Sequence, residues 1–214
     1  MSENAPHSEL VSSQFGKLYT ALMIKQLNER GFVTRMMDVG TGHGGYHDLL
    51  KDHVPDMEWV GVEVWEPYVR DFKLHEKYPE MYNEDVRTLD FNKIKKVDLT
   101  LFGDILEHMT KEEAQAVMDK TLAMSRLVLV SIPIVHYPQE EFEGNPYQRH
   151  VKDDWSHGEF CTSFPGLLTG FVHDHIGVYF LSLDEEASEL IKLLHPAVSS
   201  LVEQKLPNDQ IKWG

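Results

Sequence analysis

The stretch Asp38-Val39-Gly40-Thr41-Gly42-His43-Gly44-Gly45 constrains this chain more than any other. It follows a short apolar run, Val33 to Val39, which reads as a buried strand. It precedes Tyr46 to His53, which reads as a helix closed by Pro55. A strand that ends in alternate glycines and passes into a helix leaves few folds open. Without a Cβ, glycine allows a tight turn and a close backbone approach to a ligand. The helix that follows offers its N-terminal amides to the same place.

The rest of the chain repeats the rhythm of strand and helix. Leu10, Phe15, Leu18, Leu22, Met23 and Leu27 recur at helical spacing, which predicts an N-terminal helix over about residues 9–30 with Gly31 as its stop. Residues 1–8 read as a polar tail. Trp59 to Val64 is a second strand, Pro67 opens a helix to about Tyr78, and Met81 to Glu84 is a short third strand. Asp98 to Phe102 is a fourth strand. Thr110 and Glu113 have capping-box spacing at the head of a helix reaching Met124, and Leu127 to Ile132 is the clearest strand of all. Ile176 to Leu183 is a late strand. Asp184 to Leu194 is a terminal helix that Pro196 is expected to interrupt, with a polar tail after it. Such alternation predicts a parallel sheet with helices on both faces. Ligands then bind at the carboxyl ends of the strands, after Val39, Val64, Glu84, Phe102 and Ile132.

Two segments break the rhythm. The stretch between Asp90 and Asp98 is too short for a full crossover helix. Residues 133–160 crowd Pro, Gly, Asn, Trp and charged residues without a period, which predicts an inserted loop of about 28 residues acting as a lid.

Acidic residues follow the strands. Asp38 precedes the first glycine, where a carboxylate repels a pyrophosphate and attracts an ammonium group. Glu63 ends the second strand, placed to accept hydrogen bonds from both hydroxyls of a ribose. Asp85-Val86 follows the third, where an acid accepts from an adenine amino group, and Asp104 follows the fourth. The glycines fit G-x-G-x-G, and Gly45 completes the looser G-x-G-x-x-G of dinucleotide binders as well. Together these residues suit a nucleoside carrying an amino acid better than a phosphorylated dinucleotide.

At these residues the sequence resembles the class I S-adenosylmethionine-dependent methyltransferases over about residues 33–132. DVGTGHGG is similar to the family's first motif, VGVEV to its ribose-binding strand and EDV to its adenine contact. DLTLFGDILEHM resembles the fourth-strand motif of the small-molecule branch. The resemblance implies one domain over residues 1–214 with a three-layer, Rossmann-like sheet of about seven strands, mostly parallel. It implies S-adenosylmethionine as cofactor. Gly40, Gly42 and Gly44 would line the methionine moiety, Glu63 would hold the ribose, Asp85 the adenine edge and Trp65 the adenine face; Asp38, Thr41, Val64, Val86 and Asp104 complete the expected cofactor site.

Catalysis of a methyl transfer needs the acceptor held in line and, for a hydroxyl, a base. The candidates are Asp104, His108 and His150. The insertion also carries His136, Tyr137, Asp153, Asp154, Trp155 and His157, a polar and aromatic set suited to a substrate. Asn145-Pro146-Tyr147 reads as a turn within that lid. His173-Asp174-His175 has the residue types of a metal site without a spacing that converges them, and no metal is expected.

Charge and composition bound the partners. Lys plus Arg number 20 against 35 for Asp plus Glu, a net charge of −15, and no basic patch compensates; nucleic acid and anionic membranes repel such a surface. A single cysteine, Cys161, excludes an intrachain disulfide and a cysteine-based zinc site. No apolar leader and no membrane-length run stand in the sequence, so a cytoplasmic protein with a small-molecule acceptor is expected. The competing readings are a protein methyltransferase, a catalytically silent cofactor-binding module acting through a partner, and a nicotinamide-dependent oxidoreductase that tolerates Asp38. The oligomeric state is not encoded in any feature of the sequence.

Overall fold

The computed structural model describes residues 16–205. The expected tails, and residues 9–15 of the expected first helix, lie outside the described residues. A seven-stranded sheet in the order β3-β2-β1-β4-β5-β7-β6 forms the middle layer. Its strands are β1 (Arg35–Val39), β2 (Glu58–Val62), β3 (Glu80–Tyr82), β4 (Val97–Gly103), β5 (Ser125–Pro133), β6 (Leu167–His173) and β7 (Ile176–Leu181). The first five run parallel, and β7 and β6 pair antiparallel at one edge. This is the three-layer, Rossmann-like arrangement the sequence predicts.

Alternation along the central strands sorts side chains to the two faces, as a doubly covered sheet requires. Met36, Leu99, Leu101, Leu127 and Leu129 enter one core. They meet α1 (Lys17–Glu29), α2 (Gly45–Leu50) and α7 (Glu185–Lys205) there. Met37, Val39, Phe102, Val128 and Val130 enter the other, against α5 (Lys111–Met124) and α6 (His157–Ser163). Thr110 and Glu113 close both halves of the capping box on α5.

The structure corrects three expectations and adds one strand. The helix after Pro67 is broken into α3 (Glu66–Asp71) and α4 (Leu74–Lys77) by Lys73, which sits in the left-handed region at φ 52. The insertion ends earlier than residue 160, because Ser156 caps α6 by accepting the amide of Glu159. The strand β6 carries no clear sequence signal. It is a half-exposed edge strand broken by a register shift, and it joins β7 through a two-residue turn at Asp174-His175. Finally, α7 continues through Pro196. A proline inside a helix removes one hydrogen bond, yet Ala187, Ile191 and Leu194 before it and Val198 and Val202 after it all enter the same core. Burial of that continuous stripe outweighs the lost bond.

Between β3 and β4 the crossover is only the turn Phe91–Lys93, as the short stretch before Asp98 predicts. Among the described residues no helix is long and apolar enough to cross a membrane. The strand order reverses between β1 and β4, so the crevice beyond their carboxyl ends is where a ligand belongs.

Candidate functional site

The turn after β1 is built by three glycines in the left-handed region, Gly40, Gly42 and Gly44. At Gly40 a Cβ would stand 1.9 Å from Cδ1 of Ile105, so any larger residue there would force the Ile105 side chain aside. At Gly42 a Cβ would meet nothing within 4 Å, so that face of the turn looks onto open space. The turn is tied to β2. Gly40 and Thr41 donate their amides to the Val62 carbonyl, at 2.7 and 3.3 Å. The Glu63 carboxylate accepts the amides of Gly42 at 2.9 Å and Trp65 at 2.8 Å. Burial pushes the Glu63 carboxyl up from its ordinary range, while those amides pull it back.

A cleft open to solvent lies here. Its floor is formed by Gly40, Gly42, Glu63 and Val64, and one wall by Asp85, Val86 and Arg87. The far wall is formed by Ile105, His108 and Met109 after β4 and by Asn145, Tyr147 and Gln148 from the insertion. Six of the expected cofactor residues therefore meet around one space: Gly40, Gly42, Glu63, Val64, Asp85 and Val86.

The other expected residues stand behind or beside it. Asp38 is 2% exposed and accepts the hydroxyl of Tyr78 at 2.5 Å, so it supports the turn from beneath and does not reach the cleft. Desolvation pushes its carboxyl up to about 7. Thr41 is buried, its carbonyl accepting the Gly44 amide at 2.8 Å. Gly44 packs over Lys77, which donates to the His43 carbonyl and the Asp48 carboxylate. Trp65 borders the rim, its ring 6.2 Å from that of Tyr147. The Asp85 carboxylate is engaged by Arg87, which donates from its backbone amide and from Nε and Nη2; this holds Asp85 below the usual carboxylate range. Arg87 also reaches Glu113 at 3.2 Å, tying this wall to the capping box of α5.

Of the three catalytic candidates only His108 lines the cleft. Asp104 directly follows β4 in the left-handed region at φ 56 and donates its amide to the Ser131 carbonyl at 2.8 Å. A non-glycine residue held there is strained, a feature that clusters at functional sites. His150 packs against His108 edge to face, with ring centroids 4.9 Å apart. Each imidazole faces a backbone carbonyl through Nδ1, His108 that of Arg149 at 3.0 Å and His150 that of Tyr137 at 2.6 Å. A carbonyl only accepts, so Nδ1 carries the proton in both rings and Nε2 keeps its lone pair. Burial lowers both, His108 to about 4.

The insertion is folded onto this region. Val151 and Lys152 both donate their amides to the Glu107 carbonyl, at 2.8 and 3.0 Å. Asn145 caps the turn Pro146–Gln148 by accepting the Tyr147 amide, so the expected turn forms and places Tyr147 on the cleft wall. Trp155 is corrected from substrate contact to core: it is 1% exposed between Phe160 and Phe164. His157 belongs to α6 and shares a hydrogen bond of 2.8 Å with the Tyr179 hydroxyl.

Sequence reasoning missed Arg87, Ile105, Met109 and Gln148 on the walls, and above all the burial of Glu107. That residue is 2% exposed, and neither carboxylate oxygen has a hydrogen-bond partner among the described residues. Desolvation, and then the charge of Asp104, push it well above the usual range.

Residues 37–124 match the model of a family described as a methyltransferase domain. No curated protein matches the chain in sequence. Solved structures with the same fold include an S-adenosylmethionine-dependent methyltransferase from Clostridium acetobutylicum, at 13% identity and TM-score 0.60, covering 80% of this chain and 93% of that one. A second is the 1,6-didemethyltoxoflavin-N1-methyltransferase of Burkholderia thailandensis, solved with its substrate and S-adenosylhomocysteine. It is 15% identical with TM-score 0.55, and 80% of each chain is covered. A third is the small RNA methyltransferase HEN1, at 17% identity and TM-score 0.61, covering 86% of this chain and 27% of that one.

Proposed function

We propose that this chain, which carries a class I S-adenosylmethionine-dependent methyltransferase domain, methylates an oxygen or nitrogen of a small-molecule acceptor seated beneath the 134–156 segment. The observation that carries this is the cleft at the reversal of strand order. It has a glycine floor open at Gly42, the Glu63 carboxylate at its base and an ordered cover above. The residues fit the cofactor. Glu63 keeps lone pairs beyond the two amides it accepts, enough for a pair of ribose hydroxyls. Val86 and Tyr147 give the walls apolar surface for a purine.

The bound cofactor supplies a sulfonium methyl group. The chain's own residues do the rest. Gly40 and Gly42 let the backbone come close, Glu63 fixes orientation, and Asn145 and Tyr147 cover the cleft and keep water out. His108 is the base for a hydroxyl acceptor, because its tautomer leaves Nε2 free to take a proton. Asp104 and His150 are positioning residues beside it.

The RNA methyltransferase among the structural neighbours raises a second acceptor class. A net charge of −15 works against a polyanion, which favours a small-molecule acceptor. A peptide acceptor, or a silent domain acting through a partner, predicts cofactor binding with no transfer to small molecules.

The test is calorimetric titration with S-adenosylmethionine, S-adenosylhomocysteine and NAD in parallel, followed by a screen of acceptors. Micromolar binding of the first two and none of NAD is expected, with methyl transfer to a phenol, alcohol or amine. Binding of NAD alone overturns the reading.

A further inference from the structure

The geometry points to a divalent-metal site formed by Glu107, His108 and His150, beside the cleft that His108 lines. One ligand atom from each lies within 4.8 Å of the other two. A carboxylate and two imidazoles are a donor set suited to first-row divalent cations. Bonds of about 2.0–2.2 Å ask these donors to close in by roughly 1 Å, within the reach of side-chain rotation.

Two independent observations support a cation here. Glu107 is 2% exposed and both its carboxylate oxygens lack a hydrogen-bond partner among the described residues. A buried carboxyl left without partners is costly, and a coordinated cation removes that cost. Next, both imidazoles are oriented from behind. The Nδ1 of His108 meets the Arg149 carbonyl and that of His150 the Tyr137 carbonyl, which fixes the tautomer whose Nε2 binds metal. A backbone carbonyl on the far nitrogen is the usual support of a metal-bound histidine. The backbone joins the same three residues, because Val151 and Lys152, directly after His150, donate to the Glu107 carbonyl. The site thus draws two ligands from the turn after β4 and one from the insertion, and the cation would staple the cover down.

His108 lines the cleft, so a coordination position left free by the protein opens toward it. On the methyl-transfer reading, an acceptor oxygen would take that position, and His108 would serve as ligand in place of base. A cation lowers the pKa of an oxygen it binds. Imidazole nitrogens favour Mn²⁺, Co²⁺ or Zn²⁺ over Mg²⁺ and Ca²⁺, which prefer all-oxygen cages.

The test uses the full chain and Co²⁺ alone, with no cofactor or acceptor present, so its failure is separate from failure of the methyl-transfer reading. Equilibrium dialysis and visible absorption are read together. One Co²⁺ per chain with d–d bands is expected, and equimolar Mg²⁺ leaves it bound. Glu107→Gln keeps the shape of the side chain, and His150→Ala removes the ligand that the insertion supplies; each is expected to weaken Co²⁺ binding at least tenfold and to change the bands. Either variant suffices if the other does not fold. No uptake by the unaltered chain overturns the site. So does uptake that neither variant changes, or displacement by equimolar Mg²⁺.

Discussion

The carboxylate of Glu63 accepts the amide of Gly42 at 2.9 Å, so the acid at the end of β2 and the glycine turn after β1 are one unit. The same carboxylate holds the Trp65 amide at 2.8 Å. Hydrogen bonds to a charged group are worth about 1.5–3 kcal/mol each. Glu63→Ala therefore loosens the turn and, on the proposed reading, removes a ribose contact with it. Affinity for S-adenosylhomocysteine, measured by calorimetry, should fall at least tenfold, and the melting temperature should drop as well. Glu63→Gln keeps an acceptor at one oxygen and should fall in between. Equal affinity in all three proteins would remove Glu63 from the site.

Gly40 tests the turn from the steric side. A Cβ at that position would lie 1.9 Å from Cδ1 of Ile105, and φ is 69. Overpacking costs about 1–3 kcal/mol, and left-handed backbone at a residue with a Cβ adds about 1–2 kcal/mol. Gly40→Ala should lose stability by that order in urea unfolding. Adding Ile105→Ala should return the packing part and leave the backbone part. A double variant no more stable than the single one would mean that Ile105 is not the obstacle.

How the chain announces its site is clear from these two residues. The glycine turn and Glu63 were legible because their chemistry depends on spacing along the chain and on strand ends. Val86 and Asp85 were found by the same rule, although the position of Asp85 could not reveal that Arg87 occupies its carboxylate. Asp38 shows the limit. Its sequence position is that of a ligand contact, yet the hydroxyl that engages it belongs to Tyr78, forty residues away in the sequence. Glu107 was illegible for a related reason. A charged residue in a short turn reads as surface until the insertion folds over it, and that long-range packing leaves no period in the sequence. The edge strand β6 and the passage of α7 through Pro196 were decided in the same way, by partners distant in sequence.

The buried acid at Asp38 predicts a pH dependence of stability. Its carboxyl is pushed up to about 7 by desolvation, against 3.8 for the ordinary group. Between those values the folded chain holds a proton that the unfolded chain releases. Its contribution to stability is thus full below about pH 4 and declines as pH rises to about 7, then stays level. The whole change is at most about 4 kcal/mol. Asp38→Asn carries no such proton and still accepts from Tyr78. Unfolding free energies of the two proteins, measured from pH 4 to pH 8, should diverge as pH rises, with the variant the more stable at pH 8. A difference that stays constant across this range would show that Asp38 titrates near its ordinary value.

Two aromatic residues of the insertion separate its structural role from its role at the cleft. Trp155 is 1% exposed and packs with Phe160 and Phe164. Tyr147 is 40% exposed and stands on the cleft wall with its ring 6.2 Å from that of Trp65. Trp155→Ala should cost about 3–5 kcal/mol, the usual cost of removing a large aromatic from a core. Tyr147→Ala should change stability by no more than about 0.5 kcal/mol, as an exposed substitution does. It should nonetheless weaken S-adenosylhomocysteine binding several-fold, because the wall that covers the ligand loses its ring. Denaturant unfolding and calorimetry on both variants decide the matter. If Tyr147→Ala binds as the parent does, the insertion covers the acceptor and leaves the cofactor untouched, and acceptor KM is then the quantity that should rise.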